Sequence, residues 1–214
     1  MTYSQIVVFV LEIIGTIAFA SSGAMVGIRK NMDIFGVNVL GITTALGGGL
    51  IRDLILNISP PNMFRYPSYV IMSIITSTIL FIVAYFNKEL LKSKYMEIYE
   101  RAMTSMDAIG LAAFTIIGIN TAVLLSYTHE YFLLIFVGVI TGVGGGMLRD
   151  IMAGTTPYIF VKHVYACASI AGAILCVILK DIIGNAPAMV IGAGSIVIIR
   201  YLAVRYHWNL PKIQ

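Results

Sequence analysis

The chain has 214 residues, 59% of them hydrophobic and 11% charged, with a mean hydropathy of +0.92. Soluble globular domains carry about 25% charged residues, so this is a composition made for lipid. Fourteen Lys and Arg against ten Asp and Glu leave a net charge of +4, an excess that in a membrane protein belongs to cytoplasmic loops rather than to nucleic-acid binding.

A bilayer core of about 30 Å takes roughly 20 helical residues. Seven stretches reach that length: 4–27, 34–57, 67–87, 103–126, 131–153, 163–180 and 186–205. The first contains Ala18-Phe19-Ala20-Ser21-Ser22, which looks like a leader-peptide cleavage site. No positive segment precedes it and Glu12 interrupts the apolar run, so it reads as a retained span. The second carries Thr43, Thr44 and then Gly47-Gly48-Gly49-Leu50-Ile51-Arg52-Asp53. Between the third and fourth, Lys88 to Arg101 is a mixed-charge segment, read as a solvated cytoplasmic linker. The fourth span holds Asp107, and the fifth carries Thr141 and Gly144-Gly145-Gly146-Met147-Leu148-Arg149-Asp150. Cys167 and Cys176, in the sixth, are nine residues apart with no ligand cluster beside them and read as small apolar residues. Tyr3, Tyr66, Tyr69, Tyr127, Tyr131, Tyr158, Tyr165, Tyr206 and Trp208 gather near span ends, as headgroup aromatics do. His129, His163 and His207 also fall at span ends, where interfacial polar residues belong.

Seven spans put alternate loops on opposite sides. Arg29, Lys30, Lys88, Lys92, Lys94, Arg101, Lys162, Arg205 and Lys212 share one side, and only Arg65 and Lys180 lie on the other. The positive-inside rule therefore places the N-terminus outside and the C-terminus in the cytoplasm.

The chain repeats itself. At an offset of 95, Glu12 meets Asp107, Gly15 meets Gly110, Phe19 meets Phe114 and Gly23 meets Gly118. At an offset of 97 the triple glycines, the Arg-Asp pairs and Pro60/Pro157 coincide. Each unit has three spans, an odd number, so the second enters from the opposite side and the repeats are inverted. The expected organisation is an all-α integral membrane protein: a first three-helix repeat (1–87), a linker (88–102), an inverted second repeat (103–180), and a seventh helix with a cytoplasmic tail (181–214).

Glycine weakens a helix by roughly 1 kcal/mol relative to alanine, and an ionisable residue at hydrocarbon depth usually marks a transport path. The doubled motif is therefore expected to break both helices at Gly47, Gly48, Gly49 and Gly144, Gly145, Gly146, giving a midplane constriction lined by carbonyls and half-helix ends. Consecutive helical residues diverge, so Arg52, Asp53, Arg149 and Asp150 are expected to pair across to the other repeat or to the facing helix as a charged gate. The bland reading is that the glycines only let helices approach, as expected of Gly23/Gly27 and Gly138/Gly142. Glu12 and Asp107 suit cation coordination or proton relay, or else a structural ion pair with a motif arginine. Thr43, Thr44 and Thr141 either offer hydroxyls to a solute or bond back to their own helix.

Two three-helix units, each with Gly-Gly-Gly-x-x-Arg-Asp in its second helix, and a seventh helix resemble the prokaryotic trimeric intracellular cation (TRIC) channel family, from about residue 4 to 205. The resemblance implies a homotrimer in a prokaryotic plasma membrane, in which each protomer has its own pore between glycine-kinked second and fifth helices. It also implies permeation by K⁺ or Na⁺, chiefly K⁺, with no cofactor and no resident metal. The same bacterial domain also bears the name of a glycine transporter, and the arginines and half-helix ends would suit a small carboxylate. A cation channel and a glycine transporter both remain open on these residues. A retinal receptor would need a lysine deep in the last span, which offers Arg200 instead. No nucleophile–base constellation marks a catalytic site.

Overall fold

The computed structural model describes residues 3–87, 95–161 and 164–208, and every regular element among them is helical. In chain order these are α1 (Tyr3–Arg29), α2 (Ile34–Ile55), the single-turn α3 (Asn62–Arg65), α4 (Ser68–Phe86) and α5 (Met96–Leu124). There follow α6 (Tyr131–Met152), the single-turn α7 (Tyr158–Val161), α8 (Tyr165–Ile183) and α9 (Asn185–Arg205). The seven long helices have the length and apolarity to cross a membrane. Lys88, Lys92, Lys94, Lys162, His163 and Lys212 lie outside the described residues.

The expected spans fall on these helices, with one clear difference. α5 begins at Met96 rather than at 103, carrying helix into the segment read as a linker. Its early turns dock on the end of α1: the Tyr99 hydroxyl donates to the Met25 carbonyl at 2.6 Å, and Arg29 pairs with Glu100 at 2.8 Å.

The two repeats end their helices alike. After α1 and α5, Asn31 and Ser126 take left-handed φ values of 56° and 71°, letting the amides of Met32 and Tyr127 reach back to the carbonyls of Gly27 and Ala122. After α2 and α6, Asn57 and Gly154 do the same at 55° and 65°, with Ile58 and Thr155 donating to the carbonyls of Asp53 and Asp150. These are helix-terminating motifs that satisfy carbonyls which lipid cannot.

α1, α2, α5 and α6 form the centre, α4 covers α1 and α2, and α8 and α9 cover α6 and α5. Phe19 and Phe114, equivalent in the two repeats, stack at 5.3 Å between ring centroids. Gly23 sits against Gly41 where α1 crosses α2, and Gly118 sits against Gly138 where α5 crosses α6. Gly27 rests on Val37, and Gly142 on the Leu111 backbone. Small residues here bring backbones together within one chain, as membrane helix packing requires. The result is an all-α membrane protein of two inverted three-helix repeats closed by a seventh helix.

Candidate functional site

α2 and α6 cross at the doubled glycine motif, in backbone contact. A Cβ built on Gly48 would fall on the Thr141 carbonyl oxygen, and one on Gly145 would fall on the Thr44 carbonyl oxygen. The expected break is absent: both helices run unbroken through Gly47–Gly49 and Gly144–Gly146. The reason is the surroundings. An opened ladder would strand amides and carbonyls where there is no water to take them, so the glycines keep their hydrogen bonds and use their missing side chains for close approach.

The motif threonines follow the same logic. Thr44 Oγ1 donates to the Leu40 carbonyl and Thr141 Oγ1 to the Val137 carbonyl, both at 2.6 Å, so both back-bond within their helices. Thr43 is half-buried on α2 and lines neither cavity described below.

The charges correct a second expectation in part: each motif arginine does pair with its neighbouring aspartate, while Arg149 also pairs with Asp107 on the facing helix α5. Arg52 and Asp53 pair with each other: Nε and Nη2 both donate to Asp53 Oδ1, at 2.9 and 2.7 Å. Arg149 Nε likewise donates to Asp150 Oδ1 at 2.8 Å. In each case the other aspartate oxygen accepts a loop amide, from Asn62 at 2.6 Å and from Tyr158 at 2.9 Å. Side chains at i and i+1 do leave the helix in different directions, but this pair sits in the last turn. There the loop amide holds the aspartate, and the long guanidinium stem bends round to it. A buried arginine left without a carboxylate would bear an uncompensated desolvation penalty of several kcal/mol.

Beyond this shared core the halves differ. In the second repeat Arg149 also crosses to α5 and α1, its Nη1 donating to Asp107 Oδ1 and to Ser22 Oγ, each at 2.5 Å. Arg149 and Asp107 are both 0% exposed. Tyr165, at the start of α8, is buried with them, and the Arg200 guanidinium of α9 lies 4.7 Å from the centre of its ring. This half is sealed. Asp107 is thus the structural partner of a motif arginine.

In the first repeat Glu12 accepts a hydrogen bond from the Tyr69 hydroxyl of α4 and shares a cavity with Arg52. A cavity of about 210 Å³ opens there, bounded by Glu12, Thr16, Gly49, Arg52, Asp53, Asn62, Tyr69, Phe114 and Asn120 among others. It adjoins a second cavity of about 310 Å³ lined by Ser4, Gln5, Glu12, Tyr66 and Asn120, at the Tyr66 end of the bundle. The space therefore lies between α1, α2, α4 and α5, beside the α2–α6 seam rather than in it. A Cβ on Gly49 would meet only Arg52 Nη2, at 3.7 Å, whereas one on Gly146 would meet Tyr165, Asp107 and Arg149.

The residues that sequence reading left out are Tyr69, Tyr165, Ser22, Asn62 and Asn120. Position near span ends puts Tyr69 and Tyr165 among the headgroup aromatics, but one bonds Glu12 and the other is buried against the Arg149 cluster. Their separation of 96 falls between the two repeat offsets, and that was the available signal. Tyr3, Tyr66, Tyr127, Tyr131, Tyr206 and Trp208 are exposed, as are His129 and His207. Cys176 is buried and Cys167 half-buried, both as free thiols.

Comparison with known proteins gives one consistent result. The family described as "Glycine transporter" matches twice, at residues 9–85 and 104–181, once per repeat. The chain is 36% identical to the Escherichia coli K12 inner membrane protein YadS, over 95% of each chain. It is 35% identical to the Bacillus subtilis membrane protein YvgT, over 94% of each. Among solved structures it is similar to the TRIC trimeric intracellular cation channel orthologue from Rhodobacter sphaeroides, with a TM-score of 0.83 and 30% identity over 94% of this chain and 99% of that one. It is also similar to a prokaryotic TRIC channel determined in 0.5 M KCl, with a TM-score of 0.85 and 28% identity over 96% and 100% of the two chains. Sealed and open halves built on one repeated motif, matched over nearly the full length by these proteins, place this multi-pass membrane protein in the prokaryotic TRIC channel family, whose repeat domain also bears the name glycine transporter.

Proposed function

We propose that the protein is a channel for monovalent cations, chiefly K⁺ with Na⁺ as the alternative ion, assembled as a homotrimer with one pore in each protomer. The observation that carries this reading is the charge of the open cavity: the carboxylates of Glu12 and Asp53 face the single guanidinium of Arg52. A cleft with a net negative charge and low-dielectric walls concentrates cations. The whole-length likeness to cation channels supports the same reading. With the N-terminus outside and the C-terminus in the cytoplasm, the cavity is an external vestibule and Arg149–Asp107 closes the inner end. Conduction then requires α2 and α6 to separate at Gly48 and Gly145, and requires Arg149 to release Asp107.

One observation favours a second reading, uptake of glycine or another small amino acid. Arg52 lines the cavity and is a suitable partner for a carboxylate. Recording from the purified protein in planar bilayers under a KCl gradient separates the two. The channel reading predicts unitary current steps reversing near the K⁺ equilibrium potential. Silent bilayers, from protein that takes up glycine in vesicles, would overturn it.

A further inference from the structure

One acid, one arginine and one tyrosine recur in the two repeats and are partnered differently in each. Glu12, Arg52 and Tyr69 correspond to Asp107, Arg149 and Tyr165, at offsets of 95, 97 and 96. Each tyrosine stands within the first two residues of its repeat's third long helix, α4 or α8. In the open half Tyr69 gives its hydroxyl to Glu12, and Arg52 gives both Nε and Nη2 to Asp53. In the sealed half Arg149 divides itself between Asp150, Asp107 and Ser22. Tyr165 is left over. It is 3% exposed, and neither its hydroxyl nor Asp107 Oδ2 has a hydrogen bond among the described residues. A buried hydroxyl without a bond is costly, so a tyrosine unbonded in this arrangement points to a partner in another.

That partner is within reach. A Cβ built on Gly146 would lie 3.1 Å from Tyr165 Oη, 3.6 Å from Asp107 Oδ1 and 3.7 Å from Arg149 Nη2, so the three groups converge on one point beside a residue with no side chain. The charges also balance after an exchange. Arg149 keeps Asp150, as Arg52 keeps Asp53, and the Tyr158 ring stays 5.2 Å from its guanidinium. Asp107 takes the Tyr165 hydroxyl, as Glu12 takes that of Tyr69. Each group then has the partner that its counterpart has in the open half. Without the tyrosine, release of Arg149 would leave a buried carboxylate with no compensating donor.

We propose that Tyr165 positions Asp107 in the conducting state: the inner gate opens when Asp107 passes from Arg149 to the Tyr165 hydroxyl, and Ser22 holds the closed arrangement. This rests on the channel reading and deepens it, naming the group that receives Asp107 when Arg149 lets go. Ser22 Oγ accepts from Arg149 Nη1 and donates to Asp107 Oδ1 at 3.4 Å, so it ties the two together only while they are paired. Its counterpart at an offset of 95 is Ile117, which lines the open cavity and has no hydroxyl to make such a tie.

Unitary currents in planar bilayers and fluorine NMR read the exchange separately. Tyr165→Phe should lower the open probability about tenfold, the weight of one hydrogen bond to a charged group. Unitary conductance and melting temperature should not change, because the hydroxyl is unbonded in the closed arrangement. Ser22→Ala should act in the opposite direction and raise the open probability. With fluorotyrosine in place of Tyr165, the full chain in detergent should give two exchanging resonances, and Ser22→Ala should enlarge the minor one. An unchanged open probability in Tyr165→Phe, or a fall matched by a fall in melting temperature, would overturn the exchange and leave the channel standing. A single resonance that Ser22→Ala does not alter would overturn the exchange whatever the currents show. Two resonances in a protein that passes no current would overturn the channel reading and leave the exchange.

Discussion

Arg149 and Arg52 occupy equivalent positions in one repeated motif, yet they are held very differently. Arg149 is enclosed by Asp107, Asp150 and Ser22 with no exposure, while Arg52 has Asp53 and a cavity edge. Removing one partner from a buried pair leaves a charge that lipid and protein cannot solvate, at about 3–5 kcal/mol. Asp107→Asn should therefore lower stability by that order, read as a fall in the melting temperature of the purified protein in detergent. Glu12→Gln should shift it far less, because Glu12 pairs with a tyrosine beside a cavity. Equal shifts for the two would contradict the division into a sealed and an open half. The offset of 95 points to both acids and leaves each open between cation coordination, proton relay and an ion pair with a motif arginine, the last of which Asp107 makes. Arg52–Asp53 escapes sequence reading because the rule that neighbouring helical side chains diverge describes pairs on an exposed helix surface. A guanidinium on a long stem, with no water to solvate it, goes to the nearest carboxylate.

The helices show the same contrast between propensity and environment. Span length and apolarity located all seven crossings, since hydrocarbon thickness dictates them. The glycine break was not legible in that way. Glycine's weakness in a helix is measured where water can take the freed backbone groups, and inside this bundle the ladder has nothing else to bond. α2 and α6 stay whole and cross where no side chain fits. Two neighbouring substitutions separate these ideas. Gly48→Ala should drive the helices apart and destabilise by about 1–3 kcal/mol, as overpacking does. Gly49→Ala should be close to neutral, because its Cβ would meet only Arg52 Nη2 at ordinary contact distance. Thermal melts of the two variants check this, and a larger loss in Gly49→Ala would place the tight crossing elsewhere. The early turns of α5 carry a smaller prediction. Tyr99→Phe removes the hydrogen bond to the Met25 carbonyl, worth about 1 kcal/mol, and should speed proteolysis of the segment before residue 103.

As a whole molecule, the chain is two copies of one three-helix unit caught in unlike states. The repeat and its inversion were legible because the motif recurs and three is odd. Which half is open was not, because Tyr69 and Tyr165 take different partners, Glu12 for one and the Arg200 guanidinium for the other. On the proposed channel reading the open half is a cation vestibule and the sealed half is the inner gate. The most direct test of that reading is to load liposomes containing the purified protein and to follow K⁺ efflux and labelled glycine uptake in the same preparation. A channel gives K⁺ efflux that is unaffected by excess glycine, with no saturable glycine accumulation. Saturable glycine counterflow without K⁺ efflux would contradict it.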